Sequence, residues 1–396
     1  MSETALDATG SSLSFAAAAR SATNVADKEH VIDAMRGFAA LLVAYFHCRQ
    51  VEWIGMQSFH RVAGKSLDLN TIVAYLTLPI AWGSAGVPIF FVISGYCIHR
   101  SAAQRLAAFP DYRLDAMNFW ARRLARIYPV LIAALLLTLA LDWTSLQFPP
   151  VNHKILDIGP RAFLVNLFSL QGVAGKTYGS NGALWTLSLE VQFYAVYPLL
   201  FALRRRLGLP VVLGLVALVN LASFFVFERR DLQFFTSFWL SWTLGAWIAE
   251  AQVTRVKHDA RDSRMSWPMV GAAALLTALG CVAFHFGQFY AFQLWALGFA
   301  CYLNEALKSR RHNDTPAIRL LSRFGDFSFS LYSIHLPVFV LLSTLLYRSA
   351  LQMSIFPTFA FMLVALAVAW VFYRCIELPA MKWSASLKPA GAKRLR

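Results

Sequence analysis

Residues 127–146 read IYPVLIAALLLTLALDWTSL. From Ile127 to Leu141 the run carries no charged residue. Roughly 20 apolar residues at 1.5 Å each cross the roughly 30 Å hydrocarbon core of a bilayer. The stretch is therefore expected to be a transmembrane helix. Working outward, comparable runs fall at 31–49, 80–98, 184–203, 209–227, 232–250, 268–287, 289–307, 327–347 and 355–377. The composition agrees: 58% of the 396 residues are hydrophobic, only 14% are charged, and the mean hydropathy is +0.52. Soluble domains are about 25% charged, so a soluble multidomain enzyme, a disulfide scaffold and a disordered chain are all excluded. The predicted fold class is all-α, a polytopic bundle of about ten spans.

The net charge of +15 needs a location. With the N-terminus inside, 25 Lys and Arg residues fall in cytoplasmic segments and 9 in outer loops. This bias is the positive-inside signature and predicts that both termini are cytoplasmic. It also assigns the basic excess to loops rather than to nucleic acid. Residues 1–30, rich in Ala, Ser and Thr, lack the basic and apolar regions of a signal peptide and are expected to be a flexible cytosolic tail. Residues 31–380 are expected to be one membrane domain, with a basic cytosolic tail at 381–396. Cys48, Cys97, Cys281, Cys301 and Cys375 form no CxxC pair, so they read as small buried hydrophobes and no metal site is expected.

Ionisable residues inside spans are costly and point to function. Arg36 and His47 lie 11 residues apart in the first span. That is three turns and roughly 16 Å on an α-helix, so they share one face. Asp33 is placed to pair with Arg36. In the second span Ser94 and Gly95 serve either close helix packing or a slender ligand beside the backbone. Arg122, Arg123 and Arg126 crowd the entry to the third span, as an orientation signal, a contact for anionic lipid, or a grip on phosphates. Glu190, at a depth read as similar to that of His47, must be protonated or paired. His335 lies mid-span, and Arg374 is placed to pair with Glu377.

Several of these residues sit in short motifs. Arg36-x10-His47, Phe90-Phe-Val-Ile-Ser-Gly95, Arg122-Arg-Leu-Ala-Arg-Ile-Tyr-Pro129, Leu184-Trp-Thr-Leu-Ser-Leu-Glu190 and Ser330-Leu-Tyr-Ser-Ile-His335 occur in that order. Together they resemble the acyltransferase-3 family of integral membrane acyltransferases. The resemblance implies transfer of an acyl group, commonly acetyl, from acyl-CoA to a hydroxyl of a sugar-containing acceptor such as an exported polysaccharide. It implies acyl-CoA as donor substrate, no bound cofactor, and placement in a bacterial inner membrane. Beyond lipid, donor and carbohydrate, it allows a second copy or polysaccharide-export proteins as partners. The extracellular esterase-like domain fused to some members is not expected here.

Acyl transfer needs a base or nucleophile and a stabiliser of the developing oxyanion. His47 can deprotonate the acceptor or carry the acyl group as an acyl-imidazole. Glu190 is expected to orient that imidazole and Arg36 to bind the carbonyl or a phosphate. Ser94 is expected at the acyl-pantetheine arm, Gly95 and His335 among the residues that bind substrate or acyl-CoA, and Arg122, Arg123 and Arg126 at the CoA nucleotide. Two other classes use intramembrane His, Glu and Arg. A proton-coupled transporter should have two matching halves with interrupted spans, and no such symmetry is evident. A haem-bearing electron carrier would need axial histidines, for which only His47 and His335 qualify.

Overall fold

The computed structural model describes residues 30–64, 66–227, 232–257, 265–308 and 315–387. Residues 1–29 and 388–396, on which most of the two expected tails fall, lie outside them. The chain begins with α1 (His30–Glu52), two short helices α2 (Met56–Ala63) and α3 (Leu69–Leu76), and a 3-10 segment (Leu78–Ala85). It continues with α4 (Gly86–Ala108), α5 (Ala116–Ser145), the short α6 (Pro160–Leu167), α7 (Trp185–Leu207) and α8 (Leu209–Val226). Next come α9 (Trp239–Lys257), α10 (Trp267–His285), α11 (Ala291–Ala306) and α12 (Pro316–Asp326). The described chain closes with α13 (Ser328–Tyr347), α14 (Phe356–Phe372), a π-helical turn (Tyr373–Glu377) and α15 (Leu378–Ser386). Among the described residues β pairing is limited to isolated bridges, Trp53 with Gln352 and Gln171 with Gly175.

Eight of these helices are long and apolar enough to cross a membrane. The other two expected spans are present as α9 and α11. The first carries Glu250, which pairs with Arg204 and with His99 Nε2 at 2.9 Å, and the second has 16 residues. Polar pairing between helices therefore takes the place of unbroken apolarity in this part of the bundle. The second expected span begins later than residue 80, because Trp82 leaves the helical region (φ −97, ψ 23) and α4 starts at Gly86. At the other end, α15 continues past residue 381 and packs on α5. Cys375 is exposed, unlike the buried Cys48.

Local signals account for several boundaries. Asp115 Oδ1 accepts the Asn118 N–H at 3.0 Å and caps α5, and Thr315 Oγ1 caps α12 through the Ile318 N–H at 3.2 Å. Gly208, at φ 81, reverses the chain between α7 and α8 in a conformation that favours glycine. Leu215, Leu218, Leu221 and Phe225 leave the outer face of α8 apolar and exposed, as a lipid-facing helix requires. By contrast α13 is buried continuously from Ser330 to Val340 and forms the centre of the bundle.

Gly95 belongs to this packing. A Cβ there would lie 1.8 Å from Trp242 O on α9, and one at Gly245 would lie 2.0 Å from Val92 O on α4. The two glycines let α4 and α9 touch backbone to backbone, the close-packing reading of Gly95. Gly95→Val should lower folded yield and melting temperature in detergent, since overpacking costs about 1–3 kcal/mol and here the obstacle is backbone. Gly214→Ala, with open space around its Cβ, is the control and should leave both unchanged or improved.

Candidate active site

A cavity of about 630 Å³ runs between α1, α4, α5, α7 and α13. At one end Arg36 Nη1 donates to Asp33 Oδ1 at 2.7 Å and Nη2 to Cys97 Sγ at 3.0 Å. Arg126 and Arg123 enter the same end from α5. Arg123 lies over the rings of Phe119 and Tyr194, 5.7 Å from each centroid. Arg126 has no hydrogen bond or ion pair among the described residues, although it lines the cavity. The π-helical turn adds Glu377, whose Oε2 accepts from Ser330 N–H at 3.0 Å and Ser330 Oγ at 2.5 Å. Such turns widen the helix by one residue and re-aim side chains, often at functional sites.

Further along, Glu190 accepts hydrogen bonds from Ser94 Oγ and from Tyr194 Oη, the latter at 2.5 Å. Trp242 Nε1 donates to Ser94 Oγ at 3.2 Å. One turn beyond Glu190, Thr186 Oγ1 donates to Tyr332 Oη at 2.8 Å. The lining extends to Ser333 and stops short of His335.

His335 is fully buried, and its Nε2 lies 2.9 Å from Nδ1 of His47 on α1. The rings stack at 5.2 Å with 10° between planes. The proton positions follow from the third partner, Leu331 O, 2.9 Å from His335 Nδ1. A carbonyl only accepts, so His335 Nδ1 carries hydrogen and donates. In neutral His335, Nε2 is then an acceptor and takes the proton of His47 Nδ1–H. His47 Nε2 is left with a free lone pair, held in direction by a chain that ends on helix backbone. Such an imidazole can act as a general base or nucleophile.

The profile of a family described as an acyltransferase domain, acyltransferase-3, matches residues 29–374. The chain belongs to this family. The acyltransferase MdmB of Streptomyces mycarofaciens is 27% identical over 175 residues, 44% of this chain and 39% of the relative. The O-acetyl transferase of Shigella phage Sf6 is 32% identical over 169 residues, 40% of this chain and 46% of the phage protein. The O-acetyltransferase OatA of Staphylococcus aureus (strain NCTC 8325 / PS 47) is 24% identical over 334 residues, 76% of this chain and 53% of OatA. The matches thus span about half or less of these three relatives. No solved structure shows a significant match.

In this acyltransferase-3 chain the motif residues divide into separate groups. Arg36, Ser94, Glu190, Arg123 and Arg126 meet in the cavity. Glu190, expected beside His47, instead binds Ser94 and Tyr194. Its helix places it a turn below Thr186, which itself contacts Tyr332 a turn before His335. His335 supports His47 rather than lining the cavity. Arg122 is exposed and leaves the cluster: its Nε donates to Ser384 O at 3.3 Å and its own carbonyl accepts from Ser384 Oγ at 2.7 Å, fastening α5 to α15. Arg374 lies over the Trp370 ring at 5.8 Å, while Glu377 turns to Ser330, so the expected pair does not form. Tyr332 carried no expectation of its own, although it lies within the last of the quoted motifs, and Tyr194, four residues after Glu190, is read from sequence only as added polarity near that carboxylate.

Proposed function

We propose that this chain is a membrane-embedded O-acyltransferase that moves an acyl group, acetyl in the simplest case, from acyl-CoA to a saccharide hydroxyl. The observation that carries this reading is the free Nε2 lone pair of His47, set by His335 beyond one end of a cavity whose other end holds an unpaired guanidinium. Arg126 beside Arg36 and Arg123 is a concentration of positive charge that calls for an anion, and arginine forks suit the phosphates of a nucleotide donor. A thioester arm threading past Ser94 and Thr186 would bring its carbonyl towards His47. The roughly 16 Å between Arg36 and His47 suits a long, thin donor rather than a compact one.

In the reaction proposed, His47 Nε2 takes the acceptor's hydroxyl proton as that oxygen attacks the thioester carbonyl. A C–O bond forms, the tetrahedral intermediate collapses with cleavage of the C–S bond, and the departing thiolate takes the proton from His47. His335 keeps the Nδ1 proton of His47 in place throughout, the positioning role that a carboxylate plays in a hydrolase triad. With both termini cytoplasmic, the arginine end faces the cytosolic CoA pool and the His47 end faces outward, in the cytoplasmic membrane of a bacterium. The relatives' names, O-acetyltransferase and acyltransferase, support the reaction class.

Kinetics of purified variants with labelled acetyl-CoA test the donor assignment. A lost charged hydrogen bond is worth about 1.5–3 kcal/mol, so Arg126→Ala should raise the donor KM about tenfold or more. Arg122→Ala, whose side chain serves α15, should leave it unchanged. Equal donor affinity in wild type and Arg126→Ala would sink the assignment.

A further inference from the structure

Lys154 lies between α5 and α6, outside the membrane-spanning helices and outside the cavity lining. Its backbone is tied down. Its N–H donates to Asn152 Oδ1 at 3.0 Å, Leu156 N–H donates to Gly179 O at 3.1 Å, and Gly179 N–H returns to Asp157 O at 3.1 Å. That exchange joins it to the segment carrying Asn181, whose Nδ2 donates at 2.8 Å to the carbonyl of Ser333, two residues before His335. The segment therefore rests on α13 beside the histidine pair.

The Lys154 side chain is half-buried and has no hydrogen bond or ion pair among the described residues. Burial holds its ammonium below the ordinary lysine range, a cost that an anionic partner would remove. Arg161 and Lys176, on the same stretch, are likewise unpaired among the described residues, and Arg348 donates only to a neutral carbonyl, Pro149 O, at 3.5 Å. The one acid between Leu146 and Asn181 is Asp157, and its Oδ1 already accepts the Gly159 N–H at 2.7 Å.

This arrangement conflicts with a base acting alone. An unpaired ammonium on a segment held against α13 two residues before His335 opposes the imidazolium that forms when His47 takes a proton. The conflict disappears if the reacting partner brings a negative charge to Lys154. We infer that the segment around Lys154 is the acceptor site and selects an anionic saccharide, one bearing a carboxylate or phosphate near the hydroxyl that is acylated. The inference rests on the reading of His47 as the base. It gives the donor and acceptor separate charged anchors, Arg126 at one end and Lys154 at the other.

Equilibrium binding to the purified full chain, without donor, tests the site independently of turnover. The probes are a glucuronic-acid trisaccharide, a glycosyl phosphate and a neutral glucose trisaccharide. A charge-assisted contact should make at least one anionic probe bind about tenfold tighter than the neutral one, and comparison of the two says whether carboxylate or phosphate is preferred. Lys154→Ala should abolish that preference while leaving neutral-probe affinity unchanged, and Lys154→Arg should keep most of it. No preference in the wild type, or equal losses for charged and neutral probes, would overturn the inference. Acetyl transfer is then measured on the same samples. Transfer without anion preference would leave the acyltransferase reading standing and remove the acceptor site. A Lys154-dependent preference without transfer would do the reverse.

Discussion

Replacing His47 by alanine should remove acyl transfer while the bundle stays folded. Loss of a general base typically costs about 10²–10⁴ in rate, and loss of a nucleophile at least as much. The structural cost should be small by comparison, because His47 is not fully buried and gives up one hydrogen bond, worth about 1 kcal/mol net. The measurements are turnover with labelled acetyl-CoA and melting temperature in the same detergent. Donor KM should change little, since the arginine cluster lies three helical turns away. Near-normal turnover by a well-folded His47→Ala chain would eliminate the mechanism. A large fall in melting temperature with proportionate loss of activity would mark His47 as a packing residue.

His335 should matter almost as much without being a catalytic residue. His335→Phe keeps an aromatic ring between Tyr332 and Phe339, which flank His335 at 5.9 and 5.8 Å, but removes the acceptor for His47 Nδ1–H. His47 is then free to take the other tautomer, with Nε2 protonated and useless as a base. Wrong-tautomer effects in related base–orienter pairs reach about 10⁴ in kcat. His335→Gln, whose amide oxygen can accept the same proton, should recover part of that loss. The pH profile separates positioning from packing. Wild-type rate should rise with pH as the coupled histidine pair loses its proton, whereas the Phe variant should show a different apparent midpoint. Equal defects in Phe and Gln, with an unchanged pH profile, would argue for packing alone.

The contrast between Arg122 and Arg126 illustrates where sequence reading stopped. Both stand in one basic cluster, four residues apart, and nothing in their local sequence distinguishes a structural arginine from a ligand-binding one. The difference is set by α15, more than 250 residues later, whose Ser384 engages Arg122 on both sides of a hydrogen-bonded exchange. The partners of Glu190 were hidden for a similar reason: turns counted along one helix give a depth, whereas Ser94, which donates to its carboxylate together with Tyr194, comes from another helix. For Glu377, an ordinary helix would have kept Arg374 within reach, and the π-helical turn between them carries the carboxylate to Ser330 instead.

By itself the sequence determined that the chain is an all-helical membrane protein, where most spans lie, and that His47, Arg36, Glu190 and His335 are intramembrane groups needing partners. Those are local properties: apolar length, the price of charge in hydrocarbon and the 3.6-residue period act within one segment. Only the tertiary structure decided which groups meet. The His47–His335 contact joins residues 288 apart, and its proton arrangement is dictated by a single carbonyl, Leu331 O. Whether two such side chains face each other depends on the rotation, tilt and stagger of their helices. Those are set by close contacts such as Gly95 on Trp242 and Gly325 on Asp33, whose Cβ positions would fall 1.8 and 2.0 Å from backbone oxygens. No single segment contains that information, because a helix's hydrophobic pattern fixes that it is buried but not the angle at which its neighbours receive it.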